Sequence, residues 1–249
     1  MTEGDGEVAE NSPLEPDDLL EVLTHGEITI EARFTNSSNA TLLTSVELNS
    51  VSVPAVYKPQ VGERPLWDFP EGLWRREVAA FVLSDFLGLG LVPTTVERGE
   101  DAPAGAGSLQ QFVAEDEENH YFTLRDDLRF AQAFRDLAVF DVVANNSDRK
   151  SGHVLHADGV LAAIDHGLCF HEEDKLRTVI WDFAGDALSD AMVDGLTRLG
   201  SEPPSGLQHL LSPIEFEITL VRAEELLAIG SLPFPDEDGM YPPYPWPLV

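Results

Sequence analysis

Cysteine is almost absent, with Cys169 the single one in 249 residues. One thiol closes no internal disulfide and builds no Cys-rich zinc site. Basic residues are scarce too, 15 Lys and Arg against 45 Asp and Glu, for a formal net charge of −30. A chain this acidic repels nucleic acid and anionic lipid, since both demand a positive contact face. No uninterrupted apolar run is long enough to span a bilayer, which excludes a transmembrane helix. The start MTEGDGEVAE also lacks the basic-then-apolar order of a secretory signal. The expectation is a cytoplasmic protein with no nucleic-acid partner and no stable membrane insertion.

Hydrophobic residues make up 43% of the chain, close to the globular average, so a packed core is expected. The length fits one large domain or two lobes. Part of the charge lies outside that core: residues 1–18 hold seven acids and no Lys or Arg, and the Pro-rich end adds Asp236, Glu237 and Asp238. Residues 1–18 read as a disordered acidic leader, and 233–249 as a Pro-rich tail without regular structure. The remainder still carries 35 acids against 15 cations, a balance that also serves solubility with no partner behind it.

Between these ends, β-branched or alternating runs at 28–34, 40–48 and 53–58 predict three antiparallel strands, the first two joined by the turn-prone TNSSNA. A Pro-rich connection leads to a predicted helix over 73–89, and LVPTTVE and SLQQFVA predict two further strands around the flexible GEDAPAGAG. Residues 19–113 therefore form an N-terminal lobe of five strands and one helix. From Asp127 the pattern changes: Phe130, Phe134, Leu137 and Phe140 recur at three- and four-residue steps, an amphipathic helix opening a mainly helical lobe over 114–232. The polar loop NNSDRKSG follows it. Two short strands, HVLH and VLAAI, come next, then DHGLCF and three more helices. The fold class is α+β and two-lobed.

Two features carry chemistry. Glu77 has Leu73, Trp74, Ala80 and Phe81 as its helical neighbours, so its carboxylate sits on an apolar stripe. An unpaired carboxylate buried there costs several kcal/mol. The spacing fits two arrangements: a pair with Lys58, which ends a strand, or a Glu77 at the stripe's edge reaching water beside a solvated lysine. The second feature is the loop at 145–153, which gathers Asn, Asp, Arg, Lys and His on a scaffold of helix and strands. Asp148 is followed five residues on by His153, and Asp165 ends an apolar strand before a Gly-containing turn. An Asp so placed is positioned to hold magnesium, and Asp148 to orient or deprotonate a hydroxyl; alternatively both are ordinary turn and loop residues.

The order of strand Lys, helix Glu, loop Asp and strand-end Asp resembles the protein-kinase-like fold. DRKSGH is similar to the DRHxxN loop of the phosphatidylinositol 3-/4-kinase-like branch, to which the HipA-like kinases belong. The chain as a whole resembles a small actinobacterial family of that branch, over 28–227, through VYKPQ, RREVAA, NNSDRKSGH and AIDHG. The resemblance implies an atypical two-lobed kinase using ATP and Mg2+. It assigns Lys58 to the nucleotide phosphates, Glu77 to holding Lys58, Asp148 to catalysis and Asp165 to magnesium. His153 stands where the family has Asn, and the turn TNSSNAT has no glycine, so Ser37, Ser38 and Asn39 would meet the phosphates instead. Gln110, Phe112 and Val113 fall where the adenine edge is held. Asp141 reads as a brace for the loop, and Arg149 and Lys150 as possible contacts to acceptor or γ-phosphate.

The acceptor is expected to be a protein or small-molecule hydroxyl, because HEEDKLRTVIWDF is net negative, unlike a segment meeting an anionic lipid headgroup. Two alternatives compete. One is an inactive kinase-like nucleotide-binding module. The other is a metal-dependent hydrolase drawing on His153, His156, His166, His171, Asp165 and Cys169, although His153 and His156 on one strand point to opposite sides.

Overall fold

A computed structural model describes residues 14–34, 39–116 and 118–249. Five antiparallel strands form the first sheet: β1 (Glu27–Arg33), β2 (Leu42–Leu48), β3 (Val51–Pro59), β4 (Thr95–Arg98) and β5 (Gly107–Gln111), in the order β1-β2-β3-β5-β4. β2 and β3 are joined by Asn49 and Ser50, both at positive φ (51° and 67°), the backbone of a tight hairpin turn. This turn starts β3 two residues earlier than the sequence pattern suggests. At the other end of β3, Gly107 lies against Lys58; a Cβ there would stand 2.5 Å from the Lys58 carbonyl oxygen. Glycine is what lets β5 close onto the end of the strand that carries Lys58.

Helix α1 (Pro16–His25) precedes the sheet, so the expected leader boundary at residue 18 falls inside a helix; residues 1–13 of that leader lie outside the described residues. Its signals were Pro16 in the first turn, Asp17 and Asp18 beside the N-terminal dipole, and Leu19, Val22 and Leu23 on the buried face. With Ile28, Val46, Ala55, Tyr57, Val96 and Leu109 these side chains make a small core under the sheet.

Helix α2 (Leu73–Phe86) is buried almost all round. Its Trp74, Val78, Ala79, Ala80 and Leu83 belong to the large core that also holds Phe134, Phe140, Leu196, Leu199 and Leu207 of the second lobe. That lobe comprises α3 (Tyr121–Leu124), α4 (Ala131–Val143), the hairpin β6 (Val154–Ala157) and β7 (Val160–Ala163), then α5 (Asp190–Ser201), α6 (Ser205–Leu210) and α7 (Pro213–Ile229). α4 begins at Ala131, later than Asp127, because Asp127 accepts from the Arg129 amide and guanidinium in the turn ahead of it. Arg76 of α2 bonds Glu215 of α7, both buried, so the helix is tied by charge as well as packing to the second lobe. Glu215 also caps its own helix through Ser212, whose N–H donates to it at 2.9 Å. Residues 233–249 contain no helix or strand, yet they pack on the second lobe: Thr178 N–H donates to Pro243 O (3.1 Å) and Ser151 N–H to Leu248 O (2.8 Å).

Arg76→Leu strands the Glu215 carboxylate in the core and is expected to cost about 3–5 kcal/mol in denaturant unfolding. Arg76→Leu combined with Glu215→Gln, which keeps the helix cap and removes the charge, recovers most of that loss; a double variant as unstable as the single one would show that packing around Arg76, not charge, matters there.

Candidate active site

β3, the middle strand of the sheet, carries Lys58 near its C-terminal end, within reach of α2 and the turn after β7. Its Nζ lies 2.6 Å from Glu77 Oε1 and 2.5 Å from Asp165 Oδ1. Glu77 is buried and uses its other oxygen, Oε2, to accept the His166 backbone N–H at 3.0 Å. One carboxylate thus ties the strand lysine to the turn DHG. Burial alone would push the Lys58 ammonium down, but Asp165 and Glu77 overcome that and hold its pKa above the ordinary value. The Lys58 charge, opposed by burial, holds the Asp165 carboxyl well below the usual carboxylate range. Asp165 is nevertheless open, with 48% of its side chain exposed. Its φ of +60° is a left-handed conformation that an L residue adopts at a cost, and it sits where β7 breaks into the turn.

His153 Nε2 faces the second oxygen of Asp165 at 3.5 Å. Burial lowers the His153 pKa against the pull of Asp165, so the ring is neutral at pH 7 and keeps a nitrogen lone pair. Asp148 accepts from Lys150 Nζ at 3.0 Å, and its own N–H donates to Asn146 Oδ1 at 3.0 Å. Its carboxylate remains partly exposed and contributes to the electrostatics of His153. Lys58, Glu77, Asp165 and His153 therefore meet around one point, with Asp148 on the loop beside them.

The frame beneath is a buried charge network. Arg149 is fully buried and donates to both Asp141 oxygens (3.2 Å each from Nε), to Ile164 O at 3.0 Å and to His166 Nε2 at 2.8 Å. It is a tie between loop and β7, not a contact to acceptor or phosphate. Asp141 braces the loop through side chains, taking Asn146 Nδ2 (2.9 Å) and Thr178 Oγ1 (3.1 Å) besides Arg149. Because the guanidinium has only donors, His166 Nε2 accepts, and its proton sits on Nδ1. Burial and the Arg149 charge drive the His166 pKa far down. Asn145, at φ +49°, ends α4 in the left-handed conformation that turns the chain into the loop. Asn146, Asp141 and His166 carry much of this order; of the three, Asp141 was expected as a brace from its place on the helix face one turn before the loop.

Other expected contacts are spent elsewhere. Gln110 is buried in β5 and donates its amide to Thr95 Oγ1 at 2.8 Å, and the Phe112 N–H goes to Pro54 O at 3.1 Å. Those two donors are spent within the sheet; Val113, half-buried, follows them on the run into the second lobe. Asn39 Oδ1 accepts the Arg64 N–H at 3.0 Å, which fastens the first hairpin to the connection before α2 instead of leaving that oxygen free. Ser37 and Ser38 lie outside the described residues. The histidine set of a metallohydrolase does not assemble. His156 packs on Phe130 at 5.4 Å, His171 donates to Asp68 O at 2.7 Å, and Cys169 is buried. Among the described residues no three His, Cys, Asp or Glu side chains group as a metal-ligand set. Magnesium asks for less: one or two protein ligands beside water and phosphate oxygens. The open Asp165 meets the carboxylate part of that demand, while the neutral imidazole of His153 is a poorer ligand for so hard a cation. Among the described residues no helix is long and apolar enough to cross a membrane.

No protein-family model matches the chain. Protein Rv2133c of Mycobacterium tuberculosis is 36% identical to it over 274 residues, covering 93% of this chain and 95% of that one. The chain belongs to the family of that protein, which brings no activity with it. Among solved structures, hydra Fam20 with sugar matches with a TM-score of 0.52 at 11% identity, over 88% of this chain and 90% of that one. The Helicobacter pylori proinflammatory kinase CtkA matches with a TM-score of 0.46 at 15% identity, over 84% and 94%. The fold is α+β and kinase-like, as the residue order led us to expect.

Both depressed histidines set a pH dependence. The unfolded chain takes up protons near pH about 6.5 while the folded site resists them, so stability is full above that value and falls as pH drops below it. Urea midpoints should therefore decline between pH 7.5 and 5.5, and His153→Gln should flatten the decline. The Asp165 contribution runs separately: it is present above pH about 4 and lost only as pH falls through its lower folded value. An unchanged slope in His153→Gln would contradict the buried neutral ring.

Proposed function

We propose that this member of the Rv2133c family moves the γ-phosphoryl group of ATP to a hydroxyl of a protein or small molecule. The observation that carries the reading is the meeting of Lys58 with Glu77 at 2.6 Å and Asp165 at 2.5 Å, on the kinase-like fold. The first lobe, ending near residue 113, would supply the phosphate lysine and its Glu77 partner. The second would supply Asp148, His153 and Asp165. We place the chain in the phosphatidylinositol 3-/4-kinase-like branch on its loop DRKSGH, as a proposal about ancestry and not about substrate.

In this reading Lys58, kept cationic by two carboxylates, exchanges Asp165 for phosphate oxygens while Glu77 retains it. Asp165 and His153 would hold Mg2+, which supplies neutralisation of the phosphate charge. Asp148 takes the proton of the acceptor hydroxyl as the hydroxyl oxygen attacks the γ-phosphorus, and the bond from that phosphorus to the β,γ-bridging oxygen breaks to release ADP. Lys150 restrains the carboxylate, and the Asn146 contact fixes the loop that carries it.

A lipid headgroup fits poorly. Lys175, one of the two cations in the segment after DHG, is fully buried, bonded to Asp68 at 2.9 Å and ringed by Trp67, Phe69 and Tyr241 at 5.5, 5.3 and 5.2 Å. Its charge is used inside the protein and offers nothing to an anionic surface.

Isothermal titration of the wild type with ATP and Mg2+ should show binding, and Asp165→Ala should lower the magnesium-dependent affinity about tenfold or more, roughly 1.4 kcal/mol. Indifference to magnesium in both proteins would remove the reading. Asp148→Asn separates catalysis from binding: phosphoryl turnover should fall by about 10²–10⁴ with ATP affinity unchanged. ATP binding by a wild type with no turnover across acceptor classes would point to a nucleotide-binding module instead.

A further inference from the structure

Residues 241–248 lie against the elements that surround Asp148. Arg149 and Thr178 form an isolated parallel bridge, in which Arg149 N–H donates to Arg177 O (3.0 Å) and Val179 N–H to Arg149 O (3.1 Å). The outer edge of that short segment is taken by the tail, since Thr178 N–H donates to Pro243 O at 3.1 Å. Trp181 Nε1–H donates to the same carbonyl at 3.0 Å. The tail then crosses to the catalytic loop, where Ser151 N–H donates to Leu248 O at 2.8 Å. Ser151 is three residues beyond Asp148, within about 10 Å of chain. Tyr241 completes the seat, its ring 5.2 Å from Lys175 Nζ and 5.8 Å from Arg177 Cζ.

Three N–H donors, the Thr178 amide and Trp181 indole on Pro243 O and the Ser151 amide on Leu248 O, hold a bent Pro-rich run by its main-chain carbonyls. Main-chain hydrogen bonds beside aromatic rings are a general way of receiving a peptide segment. The occupant has a further property. From Leu232 onward the chain contains no Ser or Thr, so its only hydroxyls are those of Tyr241 and Tyr244. The Tyr241 hydroxyl is directed to Glu173 Oε2 at 3.4 Å. The tail can therefore fill the seat without presenting an aliphatic hydroxyl.

We propose that the surface formed by Ser151, Thr178 and Trp181 is the acceptor-binding surface, that its acceptors are polypeptide segments, and that residues 241–248 occupy it in cis as a displaceable, unreactive substitute. This rests on the phosphotransferase reading and narrows its acceptor to a polypeptide. A tethered occupant competes at an effective concentration of order millimolar, so a free peptide binding the same surface is excluded until the tail leaves.

The test uses the full-length Tyr241→Ala/Pro243→Gly variant, which loosens the tail without removing it, beside a chain ending at Pro235. A fluorescein-labelled peptide of the sequence 238–249 is titrated against each by anisotropy. Phosphoryl transfer to a mixture of unstructured Ser- and Thr-containing peptides is measured with ATP and Mg2+, and ATP affinity by calorimetry. The expected result is peptide binding at least about tenfold tighter to the loosened variant than to wild type, following the loss of the tethered competitor. Transfer should rise by a similar factor, and the free tail peptide should reverse the gain by competing with the acceptor peptides and not with ATP. Intact ATP binding with neither gain overturns this inference alone. Loss of ATP binding in wild type and variants alike overturns the phosphotransferase reading together with the acceptor assignment. Should the shortened chain fail to fold, the loosened full-length variant decides the matter by the same two readouts.

Discussion

Glu77 is the carboxylate on which the arrangement depends. Its two oxygens serve different parts of the chain, one the Lys58 ammonium and the other the His166 backbone N–H. A carboxylate that is nearly inaccessible to water has to find such partners or lose several kcal/mol of stability. Satisfying it therefore sets the separation of three elements at once: the end of β3, the second turn of α2 and the turn after β7. Asp165 is drawn into the same cluster because that turn is anchored by the residue next to it.

The carboxylate can only do this if α2 is held still. Helices at the junction of two lobes are free to shift when one lobe alone packs them, and α2 is packed by both. Its apolar faces join the core of the second lobe, and Arg76, the neighbour of Glu77, reaches the Glu215 carboxylate on α7. Consecutive residues on a helix point about 100° apart, so Arg76 and Glu77 bind different partners on different sides. The pair converts one helix into the element that fixes the site to the larger lobe, while the sheet approaches it through Lys58.

Several of these features were readable from residue order because they are local anomalies. A Glu flanked by apolar helical neighbours, a Lys at the end of a strand and an Asp breaking an apolar strand each announce a requirement that only a distant partner can meet. What order alone concealed is which partner. DRK reads as a solvated triplet, yet Arg149 is fully buried while Lys150 next to it stays near the surface. Arg76, one of two adjacent cations in LWRRE, is inside. Gln110 and Phe112 each spend one donor on a partner the chain order does not name, Thr95 and Pro54. Helix α1 was hidden by its acidity, although its capping and periodicity were ordinary. The separations run from 8 residues for Arg149 and Asp141 to 139 for Arg76 and Glu215, and none of them is announced by the pattern around either residue.

Charge decides whether so acidic a protein could offer a place to the anionic nucleotide of the proposed reading. The cluster as it stands contains one cation, Lys58, and two carboxylates, Glu77 and Asp165, with His153 neutral beside them. Its net charge of about −1 repels phosphate, and the surrounding surface adds to that repulsion beyond a Debye length of about 8 Å only weakly. On the proposed reading, a divalent cation at Asp165 would reverse the local sign and free Lys58 from one of its two partners, so that bound metal would favour phosphate. Without the cation the same carboxylates oppose phosphate, while their negative charge favours the metal.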